Sequence, residues 1–170
     1  MKKKYAILMI IFICLSILDQ WTKHLVHTKF AWGETKPIIT GFFSLTYVRN
    51  SGAAFGILHK APPKFRDPFF IVIPLLALFI ILFLFMRLQD NQVLDAIALS
   101  LILSGAIGNL IDRLRFGYVI DFLDFFVGTY HWPAFNVADS CIVVGVSIFF
   151  FLSFLRSRFD RHETKEQIKT

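Results

Sequence analysis

The sequence is poor in charged residues and in cysteine, and it lacks the short motifs of several enzyme classes. Only 18% of its 170 residues are charged. It contains no HExxH, no Gly-x-Ser-x-Gly and no P-loop motif, so no motif supports a zincin, an α/β-hydrolase or a P-loop nucleotidase. Its two cysteines, Cys14 and Cys141, lie inside apolar runs without metal-ligand spacing. We therefore expect both to be buried packing residues.

Apolar residues are what the chain has in excess. Hydrophobic residues make up 56% of the sequence, 21 residues are Phe, and the mean hydropathy is +0.62. Soluble domains are roughly 45–50% apolar even with glycine included, so the composition predicts a membrane protein. The net charge of +6 comes from cations at the ends of apolar runs, where they suit anionic lipid headgroups. The chain has neither a recognition helix nor zinc spacing, which argues against binding to nucleic acid.

Four segments are long and apolar enough to predict membrane-spanning helices. A bilayer core of ~30 Å requires about 20 apolar residues in a helix. We place the helices at about 5–26, 68–86, 93–113 and 134–155. The predicted fold is an all-α polytopic membrane protein, one domain over 1–170, with a small extracytoplasmic sheet and loop cradle. The lysine-rich start also resembles a secretory signal peptide, but no small-x-small cleavage site follows it.

Four crossings place both termini on the same side of the membrane. Basic residues at 2–4 and in the polar tail 156–170 predict that this side is the cytoplasm. The loops 28–67 and 114–133 then lie outside. In the first, "FFSLTYV" (42–48) predicts a strand and "RNSGAAFG" a turn. The second is rich in aromatic residues typical of the headgroup layer, and we expect its Asp121 and Asp124 to be solvated or to form the loop.

Two carboxylates lie inside the apolar runs, near the predicted outer ends of the third and fourth helices. Asp112 follows Asn109 by three positions, and Asp139 follows Asn136 by three. An ionisable residue in a membrane segment costs at least about 2.5–3.5 kcal/mol and is typically functional or paired. Two neighbouring carboxylates share one proton, as in aspartic proteases. The pattern predicts a metal-free dyad in which one carboxylate activates water and the other protonates the carbonyl oxygen.

The same residues are also compatible with structural roles. Asp112 and Arg113 are compatible with a pair that ends a helix, in which Arg113 neutralises the carboxylates or anchors a loop. Asp139 is compatible with a buried hydrogen-bonding residue. Asp19 and Lys23 have the (i, i+4) spacing of a local salt bridge.

Two other functional classes are alternatives to a peptidase. A proton- or ion-coupled transporter also uses intramembrane Asp and Asn residues. Here, however, the carboxylates cluster at one face, and no pair of broken helices indicates inverted repeats. A non-catalytic membrane scaffold would leave the repeated Asn-x-x-Asp pattern unexplained. At the predicted inner end of the third helix, Asp95 is expected to be interfacial.

Five blocks occur in an order that resembles a known family. They are "DQWTK" (19–23), "NSGAAFG" (50–56), "GAIGNLIDR" (105–113), "VIDF" (119–122) and "FNVADS" (135–140). The chain resembles the lipoprotein signal peptidases, or signal peptidases II, over nearly its whole length. This resemblance implies an aspartic peptidase of the bacterial plasma (inner) membrane, without a cofactor and working as a monomer among membrane lipids. It further implies prolipoprotein substrates, cut before a diacylglyceryl-modified cysteine, and inhibition by globomycin-like lipopeptides.

The resemblance also implies a set of site residues. It matches the two catalytic aspartates to Asp112 and Asp139, near the outer face. The residues matched to the substrate cleft are Asp19, Lys23, Asn50, Gly52, Ala53, Asn109, Arg113, Phe122, Asn136 and Ala138. The strand with the "NSGAAFG" loop is predicted to form a platform beside the cleft. The "YVIDFLDFFVG" loop is predicted to be a lid or a lipid-facing wall.

Overall fold

The computed structural model describes residues 2–52 and 62–167, and it combines four long helices with a small antiparallel sheet. The elements, in chain order, are α1 (Lys3–Lys29), β1 (Thr35–Ile39), β2 (Phe43–Asn50), α2 (Pro63–Arg87), α3 (Val93–Phe116), β3 (Val119–Val127), β4 (Tyr130–His131) and α4 (Val137–Gln167). All four helices contain a stretch long and apolar enough to cross a membrane. The predicted fold class, a four-helix membrane protein with a small sheet, is confirmed.

The fourth helix differs from its predicted bounds at both ends. It begins at Val137 rather than at 134, so Asp139 lies in its first turn instead of one or two turns inside. It also continues beyond 155 to Gln167, through most of the polar tail. The late start matters for the site because the first turn of a helix has unsatisfied backbone N–H groups, and these can donate hydrogen bonds to a nearby carboxylate.

Helix α3 is the inner helix of the bundle. In an apolar 18-residue stretch of α3, 61% of the residues are buried. The corresponding shares in α1, α2 and α4 are 6%, 11% and 17%. Small residues let α4 approach it closely: a Cβ atom added at Gly105 would lie 2.2 Å from the carbonyl oxygen of Ala138. One added at Gly145 would lie 2.6 Å from the carbonyl oxygen of Ala98. Close backbone approach through small residues is a usual basis of helix packing in membranes, and here it fixes α4 against α3.

The four strands form one antiparallel sheet in the order β1-β2-β3-β4. Strand β2 confirms the predicted strand. Strand β3 corrects the prediction for 114–133, because much of that segment pairs with β2 from Phe43 opposite Phe125 to Asn50 opposite Val119. Its alternation of β-branched and aromatic residues suits a strand packed between neighbours.

Asp124, on β3, is also not solvated as expected. It is buried at 8% exposure, and one carboxylate oxygen lies 2.9 Å from Nδ1 of His131. The pair ties β3 to the short strand β4.

The end of the bundle away from the sheet is held by two polar contacts. Lys4 is buried, and its Nζ donates to the carbonyl oxygens of Met86 at 3.0 Å and Leu88 at 2.5 Å. Asp95 is also buried and forms an ion pair with Nη2 of Arg156. Asp95 lies in the first turn of α3, and the pairing with Arg156 lets its carboxylate be buried between helices.

The two cysteines differ in burial. Cys141 is buried as expected, whereas Cys14 is exposed on the outer surface of α1. The expectation for Cys14 was wrong because α1 turns much of its apolar surface away from the other helices.

Candidate active site

Four carboxylates from different elements converge where α1, α3 and α4 meet the sheet. Asp19, Asp112 and Asp121 are each at most 2% exposed, and Asp139 is half-buried. Buried carboxylates require hydrogen-bond donors or cations close by. The partners of each carboxylate therefore separate those held as structural ions from those left for chemistry.

Asn136 and Asp139 form a reciprocal cap at the start of α4. The Asp139 backbone N–H donates to Oδ1 of Asn136 at 2.9 Å, and the Asn136 backbone N–H donates to Oδ2 of Asp139 at 3.2 Å. This is a capping box, in which the N-cap residue and the third helical residue satisfy each other's backbone. The second Asn-x-x-Asp is therefore a helix start, which fixes where the Asp139 carboxylate lies.

Asn109 fixes the other oxygen of Asp139. Its Nδ2 donates to Oδ1 of Asp139 at 2.7 Å. Its own Oδ1 accepts from Nζ of Lys23 at 2.9 Å and from Nδ2 of Asn136 at 3.2 Å. Because Lys23 only donates, the amide can face Asp139 only with its NH2 group. Asn109 therefore fixes the orientation of the Asp139 carboxylate.

Lys23 lies at the centre of a buried ion network. Its Nζ is 2.9 Å from Oδ2 of Asp19 and 3.1 Å from Oδ2 of Asp112. The predicted (i, i+4) pair of Asp19 and Lys23 is confirmed, and it extends across to α3. Oδ1 of Asp19 also accepts the backbone N–H of Ala138 at 2.9 Å, so α1 stabilises the positive N-terminal end of α4.

Asp112 is fully engaged in this network. Its Oδ1 accepts from Nε2 of Gln20 at 3.1 Å. Its Oδ2 accepts the backbone N–H of Ile120 at 3.1 Å, in addition to the Lys23 ammonium. Asp112 therefore joins α1, α3 and the start of β3 through these contacts.

Asp121 has a different environment, and the expectation that it is solvated was wrong. It accepts from Nδ2 of Asn50 at 2.9 Å and from Nδ2 of Asn136 at 2.7 Å. No lysine, arginine or histidine nitrogen of the described residues lies within 4 Å of it. Burial, and then the negative charge of Asp139, raises the pKa of Asp121 to about 7. Asp121 thus holds a proton near neutral pH.

Asn136 connects the two carboxylates. Its side-chain Nδ2 binds Asp121 while its backbone N–H binds Asp139.

Sequence reasoning missed Asp121 because it lies outside the apolar helices. A signal was present, since an Asp between Ile120 and Phe122 in a strand-like run is unusual for a solvated loop.

Arg113 anchors the chain beyond β2, one of its two predicted roles. One guanidinium amino group donates to the carbonyl oxygen of Gly52 at 2.8 Å, and the guanidinium carbon lies 4.3 Å from the centre of the Phe70 ring. Gly52 in turn donates its N–H to Oδ1 of Asn50 at 3.1 Å, which orients the amide that binds Asp121. The predicted site residue Ala53, and most of the "NSGAAFG" turn, lie outside the described residues.

Two predicted cleft residues have packing roles. Phe122 is buried in an apolar cluster with Val26, Tyr47 and Ile120, and strand alternation turns it to the sheet face opposite Asp121. Ala138 is 1% exposed and touches α3, so it serves the helix contact. Both side chains therefore contribute to packing around the site.

Within residues 2–52 and 62–167, no group of three His, Cys, Asp or Glu side chains is arranged to hold a metal ion. Lys23 instead supplies the positive charge among the carboxylates.

Comparisons with known proteins agree with this architecture. Residues 11–155 match the family Peptidase_A8, signal peptidase (SPase) II. The chain is 47% identical to a lipoprotein signal peptidase of Geobacter metallireducens over 98% of this chain and 99% of that one. It is 49% identical to one of Syntrophus aciditrophicus over 86% and 91% of the two chains.

A solved bacterial membrane enzyme, obtained by the in meso method at 2.3 Å resolution, has a similar fold. Its TM-score is 0.78 at 32% identity, covering 89% of this chain and 88% of that chain. The family match covers most of the sequence, and the two relatives named above align over 91% and 99% of their own lengths. This chain is therefore a member of the signal peptidase II family of membrane peptidases.

Proposed function

We propose that this protein is a membrane aspartic endopeptidase that removes signal peptides from prolipoproteins. The substrate follows from its relatives, which are lipoprotein signal peptidases. The bond to be cut is proposed to be the one on the N-terminal side of the diacylglyceryl-modified cysteine. The observation that carries the catalytic assignment is the pair of carboxylates, Asp121 and Asp139, bridged by Asn136.

The catalytic pair proposed here is Asp121 with Asp139, in place of Asp112 with Asp139. Asp112 is bound to the Lys23 ammonium and to two further donors, so we assign it a structural role as the partner of a buried cation. Asp121 has no such cation, and its pKa of about 7 lets it hold a proton beside an ionised partner. One proton shared by two carboxylates is the arrangement that aspartic proteases use.

The chemistry then divides between the two residues. Asp139, the more exposed of the pair, accepts a proton from a water molecule as that water attacks the scissile carbonyl carbon. Asp121 donates its proton to the carbonyl oxygen, which gives a neutral tetrahedral intermediate. Collapse of this intermediate breaks the C–N bond, as Asp139 returns its proton to the leaving nitrogen and Asp121 regains one from the hydroxyl. No covalent intermediate forms, and the protein ends in its starting protonation state.

The location of the dyad suits a substrate anchored in lipid. Asp139 lies in the first turn of a spanning helix, and Asp121 lies on the strand that follows α3. A diacylated cysteine keeps its tails in the hydrocarbon layer, which puts the scissile bond at headgroup depth. We propose that this face is the outer one, with both termini cytoplasmic in a bacterial plasma (inner) membrane, as the basic residues at 2–4 indicate.

The sheet is proposed to act as a platform and wall for the substrate. Strand β3 is hydrogen-bonded to β2 along its length, which favours a fixed wall over a mobile lid. Action as a monomer, contact with membrane lipids and inhibition by globomycin-like lipopeptides remain proposals that depend on the family.

The test uses the full chain purified in detergent and a diacylglyceryl-modified prolipoprotein. Asp121→Asn and Asp139→Asn should each abolish cleavage and keep the unfolding temperature near that of the unaltered protein. Asp112→Asn is the informative third variant, since it should lower the unfolding temperature. If Asp121→Asn still cleaves the substrate, and a well-folded Asp112→Asn does not, then Asp112 and not Asp121 belongs to the dyad. Activity should not change when a chelator is added.

The comparisons give no support to the transporter alternative. The same variants discriminate it, because a transporter would show no prolipoprotein cleavage in any form.

A further inference from the structure

A cationic and aromatic cluster lies on the sheet face opposite Asp121, and the proposed reaction does not use it. Arg49, on β2, is exposed. Its guanidinium carbon lies 5.2 Å from the ring centre of Trp32, 5.3 Å from that of Tyr47 and 5.1 Å from that of Tyr118. An arginine held over several aromatic faces keeps a defined orientation and stays charged.

The cluster leaves hydrogen-bonding capacity unused. Nε of Arg49 donates to the Tyr47 hydroxyl at 3.1 Å, and that hydroxyl lies 2.6 Å from Nδ1 of His27. Across the described ranges, the two terminal amino groups of Arg49 bind no other group, and no carboxylate lies within 4 Å of them. These groups form a planar fork of the kind that matches two oxygens of a phosphate.

The position of the cluster indicates its ligand. Spanning helix α1 ends at Lys29, three residues before Trp32, and α3 ends at Phe116, two residues before Tyr118. Trp32 is 72% exposed. Exposed tryptophan and tyrosine at the ends of membrane helices mark the headgroup level, where the phosphates of phospholipids lie. A free arginine fork at that depth is complementary in charge and shape to a lipid phosphate.

We propose that Arg49, with Trp32 and Tyr118, forms a binding site for the phosphate of an anionic phospholipid. The lipid is held at the sheet and lies beside the ends of α1 and α3. Arg49 directly precedes Asn50, which donates to Asp121. The bound lipid thus also steadies the strand that carries a donor to the proposed dyad.

The experiment measures lipid binding directly, so that it does not depend on peptidase activity. The full chain is placed in phosphatidylcholine nanodiscs with increasing fractions of bromine-labelled phosphatidylglycerol, and quenching of tryptophan fluorescence is followed. A variant with Trp21 and Trp132 replaced by Phe leaves Trp32 as the reporter. Saturable quenching is expected, and Arg49→Gln should weaken it about tenfold, because a hydrogen bond to a charged group contributes about 1.5 kcal/mol.

The matched control is Arg115→Gln. Arg115 is also exposed near the end of α3, but its guanidinium lies over a single ring, that of Phe116, at 5.1 Å. Its loss should leave the quenching curve unchanged. Arg49→Lys, which keeps the charge without the fork, should give an intermediate curve and covers the case in which Arg49→Gln does not fold.

Three results would overturn the proposal. The first is equal quenching with Arg49→Gln and the parent protein. The second is an equal loss with Arg115→Gln, which would indicate only diffuse surface attraction. The third is full displacement of the labelled lipid by millimolar inorganic phosphate, which would make the site one for a free anion.

Discussion

Replacing Lys23 by Met tests whether the buried ion network holds the site together. The Lys23 side chain is 2% exposed, and Nζ contacts the carboxylates of Asp19 and Asp112 and Oδ1 of Asn109. Met has a similar unbranched shape but no charge, so two carboxylates lose their only cation within 4 Å among the described side chains. Removing one partner of a buried ion pair costs about 3–5 kcal/mol.

Both carboxylates keep neutral donors after this change, which limits the loss. Asp19 still accepts from Ala138, and Asp112 still accepts from Gln20 and Ile120. We therefore expect the free energy of unfolding to fall by no more than about 3–5 kcal/mol. For a chain of this length, such a loss corresponds to a fall of roughly 6–20 °C in the unfolding midpoint. Cleavage should also fall, because Asn109 loses the contact that fixes its amide toward Asp139.

The assay is thermal unfolding in detergent at fixed protein concentration, with prolipoprotein cleavage measured on the same samples. Lys29→Met is the control, since Lys29 is exposed at the end of the same helix, and its effect should stay within about 0.5 kcal/mol. The double variant Lys23→Met with Asp112→Asn removes one of the unpaired charges and should regain part of the lost stability. An unchanged midpoint for Lys23→Met would refute the view that this network stabilises the fold.

Further predictions concern pH, helix packing and the loop anchor. The pKa of Asp121 is raised from 3.8 to about 7, so the folded state binds the proton more tightly than the unfolded state. The contribution of Asp121 to stability is full below about pH 4 and is lost as pH rises to about 7. The rate of cleavage should fall above about pH 7, and a pH–rate profile that stays flat from about pH 6 to 9 would contradict this. Gly105→Ala should destabilise by about 1–3 kcal/mol, since the new Cβ would meet the Ala138 carbonyl oxygen at 2.2 Å; an unchanged unfolding midpoint would show that α4 can move away freely. Arg113→Ala frees Gly52 and should raise KM with a smaller effect on kcat, measured by steady-state cleavage; unaltered kinetics and stability would remove Arg113 from the site.

The sequence by itself determined the class of protein and the number of helices. Membrane crossing depends on the length and composition of one segment at a time, so it can be predicted without knowledge of any neighbour. The pair of Asp19 and Lys23 was predictable for the same reason, since four residues on a helix bring side chains together. The ordered motif blocks identified the family.

Only the tertiary structure distinguishes the surroundings of Asp112 from those of Asp121, and the proposed choice of the second carboxylate rests on that difference. Asp112 and Asp121 are nine residues apart and both follow apolar residues, so local pattern favoured the one inside a helix. Their chemistry depends instead on partners distant in sequence: Lys23 reaches Asp112 from α1, and Asn136 reaches Asp121 from the start of α4. The proton affinity of a buried carboxylate is set by the charges and donors around it, and these are assembled only when the helices and the sheet come together.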